Sequence, residues 1–268
     1  MSRISSLFDR LRVDGRLGLV TYVTVGYPKI DSTPEVVEAM VDAGADLVEL
    51  GVPFSDPLAE GRTIQATTQR ALANGVTVAH CLETARLCRR RTDAPMVFMG
   101  YLNPILAYGV ERFCAEAAAA GIDGLIVPDL SLEETGELHR ACQEAGLDLV
   151  FFVAPTTTEA RMRHVAELAS GFIYCIAVTG VTGSRDEIAA DVDKLLAKIR
   201  ELTSTPLALG FGISRPDHLA QLKGKVDAAI VGSALLDRIT EDDPAGSAAG
   251  FVRELLGQDS RGEAQLGD

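Results

Sequence analysis

The fold is decided by a joint that first reads Ala43-Gly44-Ala45-Asp46-Leu47-Val48-Glu49-Leu50. An amphipathic run ends at a glycine, a residue that terminates helices by adopting the left-handed conformation. A short, uninterrupted apolar run follows, as in a strand that is buried on both faces of a parallel sheet. The joint recurs at residues 120–127, 145–153 and, more loosely, 224–231. We interpret each copy as a helix, its glycine cap and a parallel strand.

Further apolar runs raise the number of predicted strands to eight, and helical patterns separate every adjacent pair. The predicted strands are Leu17–Thr24, Leu47–Leu50, Met96–Gly100, Gly124–Val127, Leu149–Val153, Phe172–Ala177, Leu207–Gly210 and Ala228–Val231. Eight strand–helix units in about 250 residues are typical of an α/β fold, the (β/α)8 TIM barrel. An open doubly wound sheet is the runner-up, because a sequence pattern does not show closure.

Sequence signals also indicate where several of the predicted helices begin. One long helix is predicted over Thr63–Arg90, and Pro34 stands where another helix should begin. Capping boxes at Ser131-x-x-Glu134 and Ser184-x-x-Glu187 indicate two further starts. An extra N-terminal helix over Ser5–Val13 is expected to close the barrel bottom. We expect residues 1–256 to form a single domain and the polar tail, residues 257–268, to be disordered.

Composition and charge exclude several classes of protein. Hydrophobic residues make up 47% of the chain, which is too many for a disordered protein. The chain has 38 acidic and 25 basic side chains, and its net charge of -13 argues against nucleic-acid binding and anionic membranes. No apolar run of about 18 residues predicts a membrane span. Five cysteines without a C-x-x-C pair favour a reducing cytoplasm, and the four histidines lack the spacing of metal ligands, so no metal site is expected.

Small-residue turns follow the sixth, seventh and eighth predicted strands, at residues 179–184, 210–214 and 231–234. Glycine lets backbone N–H groups approach an anion, and a helix N-terminus adds a favourable dipole. In TIM barrels, phosphate often binds after the last strands. Any one of these turns is equally well explained as an ordinary loop, but the three together indicate a phosphate site.

Carboxylates mark the end of the second strand. Glu49 lies in an apolar run, where desolvation should raise its pKa toward the range useful for acid–base chemistry. The alternative is a structural glutamate satisfied by nearby donors. Glu60, just beyond the Pro53–Pro57 loop, could reach over the barrel mouth or be a solvated loop acid. Asp129 is a possible third carboxylate at the mouth, although a turn or a partner contact explains it equally well.

The absence of lysine and histidine from certain positions excludes two kinds of reaction mechanism. None of the five lysines lies inside a strand near its carboxyl end, as a Schiff-base aldolase would need, and no histidine ends a strand. The mechanism that remains is acid–base chemistry by carboxylates on a small phosphorylated substrate. The predicted pocket wall suits a flat apolar group, although most of its residues are also plausible barrel core. It consists of Tyr22, Phe98, Ile126, Phe152, Tyr174 and Phe211.

The loop Val48–Gly61 resembles the signature of the tryptophan synthase alpha chain family, and the resemblance extends over nearly the whole chain. It includes Arg3-Ile4-x-x-Leu7-Phe8, Tyr22-Val23-Thr24-x-Gly26-x-Pro28, Gly180-Val181-Thr182-Gly183, Gly210-Phe211-Gly212-Ile213-Ser214 and Val231-Gly232-Ser233-Ala234. The resemblance implies a cytoplasmic lyase of tryptophan biosynthesis that cleaves indole-3-glycerol phosphate to indole and glyceraldehyde 3-phosphate.

The same resemblance implies roles for individual residues. Glu49 would deliver a proton to indole C3, and Glu60 would hold the indole N–H. Substrate-binding roles would fall to Tyr22, Tyr174, Thr182, Gly183, Phe211, Gly212, Gly232 and Ser233. The implied partner is a beta chain in an alpha2beta2 heterotetramer, which would carry pyridoxal phosphate, whereas this chain would hold no cofactor. The implied interface residues are Pro53, Asp56, Asn103 and Gly180.

The chain departs from the family pattern at two positions of the loop. Glu60 stands where the family normally has Asp, and Arg62 stands where it has Pro. The extra methylene adds roughly 1.5 Å of reach, and Arg62 could pair with Glu60 and hold it away from indole. We therefore expect Glu60→Asp to preserve or improve the rate. Two alternatives stay open: a catalytically weak alpha chain that acts mainly as an allosteric partner, and a stand-alone indole-releasing lyase.

Overall fold

Eight parallel strands form a closed barrel in sequential order, β1 to β8, which confirms the predicted fold class. The computed structural model describes residues 2–177, 185–210 and 212–258. Every strand boundary lies within one residue of its predicted place. The strands are β1 Gly18–Thr24, β2 Leu47–Gly51, β3 Met96–Met99, β4 Gly124–Ile126, β5 Asp148–Val153, β6 Ile173–Ile176, β7 Leu207–Gly210 and β8 Ala228–Val231.

Helices surround the barrel and connect consecutive strands. They are α1 Arg3–Val13, α2 Thr33–Asp42, α3 Arg62–Ala73, α4 Val78–Arg89, α5 Leu102–Tyr108, α6 Val110–Ala119, α7 Gly136–Ala145, α8 Glu159–Leu168, α9 Arg185–Leu202, α10 Pro216–Leu222, α11 Ser233–Leu236 and α12 Pro244–Leu255. A 3-10 turn, Leu132–Glu134, precedes α7. Within the described ranges, no helix is both long and apolar enough to cross a membrane.

Two predicted helix boundaries differ from those of the structure, and a third lies outside the described residues. The predicted helix Thr63–Arg90 is wrong, because it divides into α3 and α4 at Gly75, whose φ of +88° ends a helix. The predicted capping box at Ser131 is also wrong: its hydroxyl donates to the Glu134 carboxylate at 2.8 Å and caps no backbone N–H. Ser184 lies outside the described residues, as does the predicted tail beyond Gln258.

The aspartate of the repeated joint fastens the amino-terminal rim of the barrel. Asp46, just before β2, accepts the backbone N–H of Leu19 in β1 at 2.8 Å and forms a two-pronged ion pair with Arg16. Two other copies do the same between their own neighbouring strands. Asp123 accepts from Met96 N and pairs with Arg89 and Arg3, while Asp227 accepts from Leu207 N and pairs with Arg200.

Helix α1 closes this end of the barrel, as predicted. Its apolar face is buried and packs on the lower inner residues of the strands, with the Phe8 and Phe172 rings 5.9 Å apart. Gly18 makes room for it, because a Cβ there would lie 2.7 Å from Leu11 Cδ1. A closed amino-terminal end leaves the carboxyl-terminal end as the open face of the barrel.

Candidate active site

A cavity of about 530 Å³ opens at the carboxyl ends of the strands. Its inner wall comes from inward-facing residues near the tops of the strands, and its rim comes from the loops that follow. The residues of the wall and rim include Tyr22, Glu49, Glu60, Met99, Phe152, Tyr174, Gly210, Gly212, Ile230, Gly232 and Ser233. The cavity therefore brings together both predicted carboxylates and the described glycines of the predicted phosphate site.

Glu49 lies on β2 and points into the barrel. Its side chain is buried, with the residue 1% exposed, and neither carboxyl oxygen accepts a hydrogen bond from any residue that the structure describes. Burial, and secondarily the charge of Glu60, raises its pKa to about 8. The Glu49 carboxyl therefore retains its proton at neutral pH and can donate it.

Glu60 lies in the loop between β2 and α3 and is half-buried. The Tyr101 hydroxyl donates to Glu60 Oε1 at 3.4 Å and itself accepts from Ala59 N at 2.8 Å. Burial raises the pKa of Glu60, and the Tyr101 hydrogen bond opposes this. The expected pairing with Arg62 is absent from the described ion pairs, and Arg62 is exposed. Sequence reasoning missed Tyr101, whose only signal was an aromatic residue directly after a strand end.

Two phenols, that of the buried Tyr22 and that of the half-buried Tyr174, flank the carboxyl groups. Tyr22 of β1 is the register partner of Glu49, and Tyr174 of β6 packs its ring on Phe152 at 4.9 Å. Burial raises the pKa of both phenols, and the negative charges of Glu49 and Glu60 raise both further. Glu60 has the larger of the two effects on Tyr22, and Glu49 has the larger on Tyr174.

Three of the predicted phosphate-binding residues line the cavity rim. Gly212, with a φ of +59°, follows β7, and Gly232 and Ser233 follow β8, where Ser233 begins α11. All three residues lie at turns that the sequence singled out. Thr182, Gly183 and Phe211, the remaining predicted substrate-binding residues, lie outside the described part of the chain.

Two residues expected in the pocket wall lie elsewhere. Phe98 faces the surrounding helices, where its ring is 6.0 Å from that of Phe113. Ile126 faces inward but at the lower level, in the cluster that contains α1. Met99 and Ile230 line the cavity instead. These positions depend on which way each strand faces and on its height in the barrel.

The predicted partner-interface residues lie on loops around the same face. Asp56 and Asn103 are exposed and Pro53 is half-buried, while Gly180 lies outside the described residues. Asp129, which had two competing explanations, accepts Leu102 N at 2.9 Å and so caps α5, the helix that carries Asn103. Among the residues described, no group of three His, Cys, Asp or Glu side chains could hold a metal ion.

The chain is similar in sequence to proteins of one known family. The family model described as tryptophan synthase alpha chain matches residues 8–258. The tryptophan synthase alpha chain of Chloroflexus aurantiacus is 52% identical over 260 residues, which cover 96% of this chain and 98% of that protein. The alpha chain of Geobacter sulfurreducens is 45% identical over 263 residues, 96% of this chain and all of that protein (100%).

Solved structures agree with the sequence relatives. A chain of Mycobacterium tuberculosis tryptophan synthase matches with a TM-score of 0.88 and 34% identity over 96% of this chain and 98% of its own length. The alpha subunit of tryptophan synthase from Legionella pneumophila matches with a TM-score of 0.87 and 33% identity, covering 97% of this chain and 99% of its own. Because both sequence and fold match from end to end, the chain belongs to the tryptophan synthase alpha chain family.

Proposed function

We propose that the chain cleaves indole-3-glycerol phosphate through the acid–base chemistry of Glu49, as the alpha subunit of a tryptophan synthase. The lyase activity and the place in tryptophan biosynthesis are those of its family. We assign the activity to one domain, residues 1–256, that works in the cytoplasm. The observation that carries the mechanism is the buried carboxyl group of Glu49, which has a pKa of about 8 and no hydrogen-bond partner among the described residues, in the wall of a cavity of about 530 Å³.

Glu49 acts first as an acid and then as a base. Its proton is transferred to indole C3, which turns the ring into an electron sink. The carboxylate then removes the proton of the hydroxyl on the carbon bonded to the ring. That carbon becomes the aldehyde of glyceraldehyde 3-phosphate, the carbon–carbon bond breaks, and the bonding electrons restore indole. Glu49 ends the cycle protonated, so neither a lysine nor a metal is required.

Glu60, in the loop that follows the strand of Glu49, supports this step. As a carboxylate, it accepts the indole N–H while positive charge develops on the ring nitrogen. Gly212, Gly232 and Ser233 hold the phosphate by backbone N–H groups and a hydroxyl, with Thr182 and Gly183 of the preceding loop. Tyr22, Tyr174, Phe152 and Phe211 enclose the indole ring.

The partner is the beta chain, which holds the pyridoxal phosphate of tryptophan synthase, whereas the alpha chain has no cofactor. Together they form an alpha2beta2 heterotetramer. We place the contact at Pro53, Asp56, Asn103 and Gly180. Leu58, in the same loop as Asp56, is 92% exposed, as suits an apolar residue that a partner covers.

The test is release of indole and glyceraldehyde 3-phosphate by the full chain, alone and with its cognate beta chain. Glu49→Gln removes the transferable proton without changing the volume, so we expect turnover to fall by about a thousandfold or more. Inorganic phosphate should bind the variant as it binds the native chain, because the late-strand turns are unchanged. Near-normal turnover by the variant contradicts the mechanism.

The two alternatives make different predictions in the same assay. A catalytically weak allosteric chain shows no turnover even with the beta chain, and a stand-alone lyase shows full turnover without it. The relatives do not favour either alternative, since they are alpha chains of tryptophan synthase along their whole length.

A further inference from the structure

One side chain contacts both ends of the largely exposed loop that carries Glu60. Tyr101 is buried and lies between β3 and α5, at the N-cap position of α5. Its ring packs on that of Phe54, with the centroids 5.2 Å apart. Its hydroxyl accepts from Ala59 N at 2.8 Å and donates to Glu60 Oε1 at 3.4 Å. The phenol therefore fastens the loop to the neighbouring strand–helix unit at both ends.

Tyr101 contacts Glu60 from outside the cavity. Ala59 and Glu60 line the cavity of about 530 Å³, whereas Tyr101 is not among the described residues that do. It borders a separate void of about 10 Å³, which is lined in part by Phe98 and Phe113. A residue in this position acts on the reaction through Glu60 rather than by touching the substrate.

The hydrogen bonds of the phenol direct its proton to Glu60. A tyrosine hydroxyl has a single proton and two lone pairs. The Ala59 N–H uses a lone pair, and the proton is donated to the carboxylate. The 3.4 Å contact is longer than the roughly 2.5 to 2.7 Å that is usual between a hydroxyl and a carboxylate. Such contacts in substrate-free sites commonly shorten when the substrate binds.

The second oxygen of the same carboxylate is the one that the substrate needs. With Oε1 held by Tyr101, Oε2 remains for the indole N–H. The backbone of Glu60 is held independently, because Gln65 Nε2 of α3 donates to its carbonyl oxygen at 2.9 Å. A glutamate side chain has one more rotatable bond than the aspartate that the family normally has here. Its carboxylate can take more orientations and gains more from a donor that fixes one of them.

We propose that the Tyr101 hydroxyl is a positioning group for Glu60, which holds Oε1 so that Oε2 faces the indole N–H. This inference rests on the proposed function. Because the same phenol packs on Phe54, it also ties the position of the carboxylate to the loop at which we place the beta chain.

Tyr101→Phe tests the proposal, measured as kcat and KM for indole release by the complex with the cognate beta chain. The change removes the hydroxyl and keeps the ring that packs on Phe54. We expect kcat to fall by about tenfold, because Glu60 acts on the charge that develops in the transition state. The KM of the phosphorylated substrate should stay within about twofold, since the phosphate site is untouched.

The pH profile distinguishes positioning from packing. The reaction needs Glu60 as a carboxylate, so its ionisation sets the acidic limb of the profile. The hydrogen bond from Tyr101 lowers the pKa of Glu60. Removing the hydroxyl therefore raises this pKa and moves the acidic limb to higher pH. Tyr108→Phe is the matched control, since it removes a phenol of α5 that donates to Glu116 at 2.7 Å, and it should change neither kcat nor the limb.

A double-mutant cycle with Glu60→Ala decides whether the hydroxyl acts through Glu60. In that background Tyr101→Phe should lower kcat by less than about twofold, because no carboxylate is left to position. An equal loss in both backgrounds, or a lower unfolding midpoint with an unmoved acidic limb, overturns the proposal and leaves Tyr101 as an anchor of the loop. Failure of the proposed function is a separate result, in which the native complex itself releases no indole.

Discussion

The two ends of the barrel each bury a carboxyl group, but the two groups differ in whether they have hydrogen-bond and ion-pair partners. At the amino-terminal rim, Asp123 has a side chain 5% exposed, accepts Met96 N and pairs with Arg3 and Arg89. At the open face, Glu49 is equally buried and has no described partner. The supply of partners, rather than the depth of burial, therefore decides whether a buried acid anchors the fold or takes part in the chemistry.

The largest expected difference concerns Glu49. Its pKa is raised from 4.5 to about 8 in the folded state. The folded protein therefore keeps a proton that the unfolded chain loses, and stability falls as pH rises through this window, by at most about 5 kcal/mol. Glu49→Gln removes this dependence. In urea unfolding at pH 5 and pH 8, the free energy of unfolding of the variant relative to that of the native protein should be higher at pH 8. An equal difference at the two pH values would contradict the raised pKa.

The same acid-to-amide change at Asp123 should have the opposite sign. Asp123→Asn leaves the Arg89 side chain, only 15% exposed, without a charged partner. We expect a loss of about 3 kcal/mol in the free energy of unfolding. Indole release per folded molecule should remain normal, because the site lies at the other end of the barrel. If Asp123→Asn instead lost activity at normal stability, the amino-terminal rim would not have the purely structural role proposed for it.

A smaller effect is expected at Asp46, the equivalent anchor between β1 and β2. Its partner Arg16 is half exposed, so water replaces part of the interaction. Asp46→Asn should cost about 1 to 2 kcal/mol of unfolding free energy, measured as for Asp123. A cost as large as that of Asp123→Asn would show that partner burial does not set the scale.

The smallest effect is expected at a surface pair of α1. Asp9 and Arg12 lie 3.3 Å apart, and both side chains are more than half exposed. Asp9→Asn should change the free energy of unfolding by less than about 0.5 kcal/mol, because solvent and salt screen such pairs. A larger loss would mean that the closing helix depends on charge as well as on its apolar face.

Particular residues show how far sequence reasoning reached into the fold. The glycine and the apolar run of each joint predicted a strand start, because both are local signals. The aspartate between them was visible in the pattern, but its function was not. Asp46 and Asp123 each accept a backbone N–H that lies 27 residues earlier in the chain, and only barrel closure brings that donor near.

The site was predictable to a similar depth. Glu49 stood out as an acid in an apolar strand, and desolvation alone predicted the direction of its pKa. The role of Tyr101 depends on contacts between different strand–helix units, which composition and spacing do not contain. Phe98 was misplaced for a related reason, because the facing of a short, fully buried strand cannot be told from an unbroken apolar run.

Helix α1 is made first but can pack against the barrel only late in folding. It occupies the space that small inner residues such as Gly18 leave empty, yet its contacts include Asp123 and Phe172, far later in the chain. At about 5 to 20 residues per second, a ribosome adds Phe172 roughly ten to thirty seconds after Phe8. The helix must therefore wait, with its apolar face unburied, until most of the barrel exists to receive it.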